Sequence, residues 1–337
     1  MMWPSLRAGL AALTLGCGAC GGDDSTGVAI PSGSLLADPT ASLPEALSDV
    51  GLHPDLSDRT LVPDTVAVYT PRWPLWSSGS DKQRFLFLPV GETIDNREPD
   101  AWRYPVGTVW FKTFTDGDTP IETRLVRKLG DEDWEYATYQ WDDEGQEATL
   151  LQGDWEVTVE LSAERRHTIP STLMCRECHE SSPHPVLGDT ELQLSEAVDD
   201  GPSPLTLLHE RGLLAEPPPA TPRRVSDHTD DDTTHAVLGD FVGNCVHCHN
   251  GTDGASSSFD LDPAVALANI IDQPTESSAS AAGIRVVPGD PSASILFLAV
   301  SDEHDDPEIE SMPPVGIDAR DTAAIERLRG FIADLEP

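Results

Sequence analysis

The chain has 337 residues, enough for two domains that each bury a core. Its 59 acidic against 21 basic residues give a formal charge of -38, which excludes nucleic acid as a partner because phosphates need a basic surface. Such a surface serves solubility, or it steers a basic protein partner in a manner that weakens with salt.

At the N-terminus Arg7 precedes the short apolar run AGLAALTLG and then Cys17, which predicts an export signal over residues 1–17. A cysteine after a small residue resembles a bacterial lipoprotein signal, which implies lipidation at Cys17 and a periplasmic or outer-surface location. Thr14 departs from the aliphatic residue usual three before that cysteine, and Cys20 is a competing acceptor. Residues 18–44, rich in Gly and Ser at their start, are expected as a flexible tether. No other stretch approaches 18 apolar residues, so any membrane attachment is expected through lipid alone.

All eight tryptophans and all four tyrosines precede residue 160, which predicts two different cores. Within residues 45–162, the runs TVAVYT, RFLFLPV, GTVWFKTF, IETRLVRKL, WEYATYQW, EATLL and WEVTVEL predict seven strands. GDED and DDEGQ are the expected hairpin connections. Strands at this spacing predict an antiparallel β sandwich or barrel. The charges of DKQR and ETRLVRK could line a binding site, but on one face of an antiparallel sheet they are expected to face water.

Residues 163–215 carry CRECH and then a predicted helix, PLTLLHERGLL. Residues 216–234 combine a proline cluster with an acidic run and are expected as a linker. From 235 to 337 the pattern is all-α, which makes the whole chain α+β. It closes on DTAAIERLRGFIADL, where Asp321 caps a helix and Ile325, Leu328, Phe331, Ile332 and Leu335 share one face.

Four cysteines form two pairs, each followed directly by histidine: Cys175, Cys178 and His179 in CRECH, and Cys245, Cys248 and His249 in CVHCH. This is the spacing of covalent haem c attachment, in which two thiols join the two vinyl groups and the adjoining imidazole ligates iron. Two covalent haems are expected. A four-cysteine zinc site, disulfides and a thiol redox pair remain as alternatives, although none of them accounts for the histidine after both pairs. Met312, in the proline-rich ESMPPVG, is the expected sixth ligand of the second haem, because Met1 and Met2 leave with the signal and Met174 adjoins Cys175. As a bland alternative, Met312 fills a core gap. For the first haem the sixth position falls to a histidine among His167, His184, His209, His228 and His235, with His209 slightly favoured, or stays open. His247 occupies a free position of its motif and receives no role.

NCVHCH, RVVPGDPSASILFLAV, MPPVG and a final helix together resemble a class I cytochrome c domain. The resemblance implies a small helical shell around one haem, with His249 and Met312 as axial ligands. One departure is that no proline follows soon after His249 to orient it. PLWSSGSDKQRFLFLPVG, YPVGTVWFKTF, IETRLVRK and IPSTLMCRECH resemble a poorly characterised family of bacterial exported proteins that join a β-rich domain to c-type haem motifs. The expected function is single-electron transfer between periplasmic or cell-surface redox partners, a carrier rather than an enzyme. A cytochrome subunit of a dehydrogenase or oxidase, a dihaem peroxidase-like enzyme with an open first haem, and a metal-stapled structural protein are the alternatives.

Overall fold

The computed structural model describes residues 27–99, 101–180, 185–252, 259–275 and 282–336. The expected export signal, Cys17, Cys20 and His184 lie outside the described residues. The chain is mixed α+β. Its strands are β1 (Val66–Tyr69), β2 (Asp81–Phe87), β3 (Val109–Asp116), β4 (Thr119–Lys128), β5 (Trp134–Trp141), β6 (Ala148–Leu150), β7 (Val157–Glu160) and β8 (Arg166–Ile169). β1 to β6 form one antiparallel sheet in sequence order, while β7 and β8 form a separate hairpin. All seven predicted runs are strands. β8 was not anticipated, because its four residues RHTI hold a single aliphatic side chain.

The expected sandwich or barrel is corrected to an open sheet covered on both faces by segments that are not strands. Phe85, Phe87, Phe111, Leu125 and Tyr139 on one face meet Leu35, Leu36, Leu47, Val50 and Leu52. Leu86, Trp110, Val126 and Tyr136 on the other face meet Val186, Leu194, Leu205 and Leu208. With both faces buried, the strands read as nearly continuous apolar runs and the sheet has no face left over for a second sheet. Leu35 and Leu36 belong to the segment expected as tether, yet both are buried.

The helices are α1 (Thr172–His179), α2 (Glu191–Leu194), α3 (Pro204–Glu210), α4 (Asp232–Asn244), α5 (Ala266–Ile270), α6 (Ile295–Ser301) and α7 (Thr322–Asp334). α7 follows the sequence expectation: the Asp321 carboxylate accepts the Ala324 N–H at 2.9 Å, and Ile325, Leu328, Phe331 and Ile332 are buried. They join Val237, Leu238 and Phe241 of α4 in a second core that contains no buried tryptophan or tyrosine. The expected linker contributes to this core through Val225, and Arg223 within it pairs with Asp262 at 2.5 Å.

α4 approaches the sheet side so closely that two of its residues must lack a side chain. A Cβ on Gly239 would lie 2.1 Å from the Trp73 ring, and one on Gly243 would lie 2.9 Å from the Pro74 carbonyl. Glycine inside a helix costs about 1 kcal/mol relative to alanine, a cost offset here by the close contact. Asn244 accepts the Trp76 N–H at 2.7 Å, and the Trp76 indole donates to the Ala319 carbonyl at 2.7 Å. Asp318 accepts from the Thr168 N–H and hydroxyl at 2.6 and 2.8 Å. These contacts lock the loop after Met312 to the β7–β8 hairpin and bring the two cysteine motifs face to face.

Candidate functional site

A cavity of about 410 Å³ lies where α1, α4 and the loop after Met312 meet the sheet. Its size falls within the range of sites that hold a cofactor-sized ligand. Cys175, Cys178 and His179 line it from one side, and Cys245, Cys248 and His249 from another. Met312 lines it as well, so the structure brings together the two Cys-x-x-Cys-His motifs and the methionine named from the sequence. Much of the remaining wall is apolar, including Trp110, Val126, Phe241, Ile325 and Leu328.

Local structure explains how each motif is presented. Ser171 caps α1 by accepting the Met174 N–H at 3.3 Å, and the following turns place Cys175 and Cys178 three residues apart. The His179 ring lies 5.2 Å from that of Tyr136 on β5. Its Nδ1 lies 2.5 Å from the Pro185 carbonyl, which makes Nδ1 the protonated nitrogen and leaves Nε2 free to ligate. The second motif continues from the end of α4, with the Cys245 N–H donating to Phe241 and the His249 N–H to Cys245, each at 2.8 Å. His249 Nδ1 is buried without a hydrogen-bond partner among the described residues, in keeping with the missing proline after it. Met312 is held by its N–H on the Ala299 carbonyl at 2.9 Å and by Arg320 on its own carbonyl at 3.0 Å. It packs against Ala299 and Ile309, so it fills a core gap and lines the cavity at once.

The electrostatics bear on the alternatives for the cysteines. None of the four cysteines is in a disulfide, and burial pushes Cys178 up to about 11 and Cys245 up to about 12. A thiol redox centre needs the opposite shift. Among the described residues no group of three or more His, Cys, Asp or Glu is arranged to hold a metal ion. Burial lowers His179 to about 3 and His249 to about 4, which keeps both rings neutral.

The imidazoles named for the first haem's sixth position are distributed differently. His209 and His228 are exposed and lie off the cavity, and His235 meets Trp73 edge-to-face at 5.2 Å with its Nε2 3.5 Å from Glu196. His167 does line the cavity, but its nitrogens meet Glu122 at 2.6 Å and Ser80 at 3.1 Å. His247, which the sequence left without a role, lines the cavity, and its ring has no hydrogen bond among the described residues.

Of the charges expected to face water, Lys82, Arg84 and Arg124 line the cavity instead, and Lys112, for which nothing was expected, joins them in its wall. Arg84 pairs in register with Lys112, and Lys112 with Arg124, so three cations stand in a row across β2, β3 and β4. Strand parity places them on the face of Leu86, Trp110 and Val126. That parity was visible in the sequence; only the burial of both faces was not.

Glu122 anchors the end of this wall, fully buried, with Arg124 Nε at 2.9 Å and His167 Nε2 at 2.6 Å. Burial opposes its charge, and Arg124 with His167 overcomes that, holding its pKa below the ordinary value. A depressed carboxylate pKa stabilises the fold above the unfolded pKa and loses that contribution as pH falls. Glu122→Gln is therefore expected to cost about 3 kcal/mol near pH 7, since it leaves Arg124 without its carboxylate. Denaturant midpoints measured from pH 7 down to pH 3 should show the gap between variant and parent closing in acid.

Asp189 behaves in the opposite sense. Its Oδ2 accepts from the Tyr104 hydroxyl at 2.8 Å and the Trp110 indole at 3.2 Å, while its Oδ1 is buried without a partner. Burial raises its pKa from 3.8 to about 6, against the pull of those hydrogen bonds and of Lys112. The folded state thus holds the proton more tightly, and stability declines as pH rises through that window, by about 3 kcal/mol in all. Asp189→Asn keeps an acceptor for Tyr104 and Trp110, so it should match the parent near pH 3 and exceed it in melting temperature at pH 7.

No helix among the described residues is long and apolar enough to cross a membrane. Comparison with known proteins gives no matching family model, no matching curated protein and no matching solved structure.

Proposed function

We propose that the chain is an exported, lipid-anchored dihaem c-type cytochrome that passes single electrons between periplasmic or cell-surface partners. The observation that carries this reading is that two Cys-x-x-Cys-His motifs, separated by 65 residues of chain, open with Met312 and His247 into one largely apolar cavity. The donor set fits the group: paired cysteines not joined in disulfides for its vinyl carbons, neutral imidazoles beside them, and a thioether within the same cavity. Cys175 with Cys178, and Cys245 with Cys248, would hold the two groups as thioethers. When bound, haem supplies an iron that gains and loses one electron.

The chain's own residues position and tune that group. His179 and His249 ligate, with the Pro185 carbonyl fixing the His179 tautomer. Met312 completes the second site and His247 the first. The sheet supplies Trp110, Phe114 and Val126 as one apolar wall of the cavity. An acidic exterior recruits a basic redox partner by long-range attraction, so electron exchange should slow as salt rises. A pyridine haemochrome assay on the exported protein, with its intact mass, tests the reading: two covalent haems per chain are expected, and a colourless chain of unmodified mass would refute it.

A further inference from the structure

Arg84, Lys112 and Arg124 form a row that the fold by itself does not justify. Like charges directly opposite on neighbouring antiparallel strands repel, and here two such pairs share one face. Burial compounds the cost, since a charge removed from water without a partner is strongly unfavourable. Arg84 is only 3% exposed, its Nε is buried without a hydrogen bond, and it pairs with no carboxylate among the described residues. Among the described residues Lys112 hydrogen-bonds to the Leu187 carbonyl, at 2.7 Å, and Lys82 to the Leu75 carbonyl, and neither pairs with a carboxylate. Burial and the neighbouring guanidinium groups push Lys112 down to about 7.

Carboxylates around the row are already engaged. Glu122 serves Arg124 and His167, and Asp189 serves Tyr104 and Trp110. Across the cavity, Asp240 takes Arg327 at 2.9 and 2.8 Å, Asp318 takes Arg166 and Thr168, and Asp321 caps α7. Glu177 sits exposed on α1. A chain with a charge of -38 thus keeps a cationic wall inside a largely apolar chamber, and among the described residues neither Arg84 nor Lys112 in that wall has a carboxylate partner.

We propose that Arg84 and Lys112, with Arg124 beside them, bind the propionate carboxylates of haem in this cavity; the proposal rests on the haem reading above. A porphyrin joins a broad apolar face to a carboxylate edge, which matches an apolar chamber with cations confined to one wall. The arginine fork suits a carboxylate geometrically as well as electrostatically.

The test uses the haem-loaded exported protein. Redox titration of Arg84→Met and Lys112→Met should show one haem shifted to lower potential, because a lost cation disfavours the added electron. The reduced-to-oxidised ratio at a fixed poise should fall about tenfold, a shift of about 59 mV for one electron. Arg84→Lys, which keeps the charge, should stay near the parent, an outcome that a purely structural role would not give. Should a methionine variant fail to accumulate, resonance Raman of the parent protein reads the same contact, with the propionate bending mode expected above its frequency in the unfolded protein. Two attached haems with parental potentials in both methionine variants would overturn the proposal. So would a parental potential that shifts as inorganic phosphate is added, since the row would then hold a free anion. Absence of haem from the parent chain would instead defeat the underlying reading.

Discussion

Exchanging Cys245 and Cys248 for serine is expected to yield an exported protein with one covalent haem where the parent carries two, and exchanging Cys175 and Cys178 is expected to remove the other. A serine hydroxyl does not form the thioether, while its size leaves the turns after α4 and along α1 intact. Both pairs line the same cavity, and neither holds the fold together by a disulfide. The variants should therefore stay folded unless haem itself contributes stability. That contribution follows mass action, since a group bound only by the folded state stabilises it. Pyridine haemochrome per chain and intact mass give the count directly, and the four-serine variant should be colourless. A parent with a single haem, lost in one double variant and retained in the other, would sink the dihaem reading and leave the second pair with a different task.

Much of this arrangement was legible in the sequence, and the parts that were not have identifiable causes. Strand and helix positions followed from alternation and caps: seven strands and the Asp321-capped α7 lie where periodicity puts them. The architecture did not follow, because nothing local announces that Leu35, Leu36 and Leu47 cover one face of the sheet while Leu194, Leu205 and Leu208 cover the other. The same gap hid the cationic wall. Lys82 and Arg84 share parity with Leu86, but whether that parity meets water or protein depends on segments more than a hundred residues away. Convergence of the two motifs was hidden as well, since it depends on Gly239 and Gly243 admitting Trp73 and Pro74 against α4. His247 was overlooked because a free position within a motif carries no local signal; its placement in the cavity is a tertiary fact.

Met312→Ala and His247→Ala should act on different haems, and the contrast between them is the sharpest reading of the axial ligands. Loss of Met312 should abolish the long-wavelength Met–iron band and lower one potential, because a thioether favours reduced iron. Loss of His247 should leave that band in place and convert one haem to a high-spin form, visible by electron paramagnetic resonance. His247 earns this assignment by position: it lines the cavity with a ring that has no hydrogen bond among the described residues, whereas His167 is engaged on both nitrogens and His209 and His228 are exposed elsewhere. Both truncations shorten side chains at the cavity wall rather than in the main cores, so the secondary structure by circular dichroism should match the parent. An unchanged spectrum in His247→Ala would overturn its role and return the first site to His184. A high-spin component already present in the parent would mean that the first iron keeps an open position, and binding of cyanide to that fraction alone would move the protein from electron carrier toward a peroxidase-like enzyme.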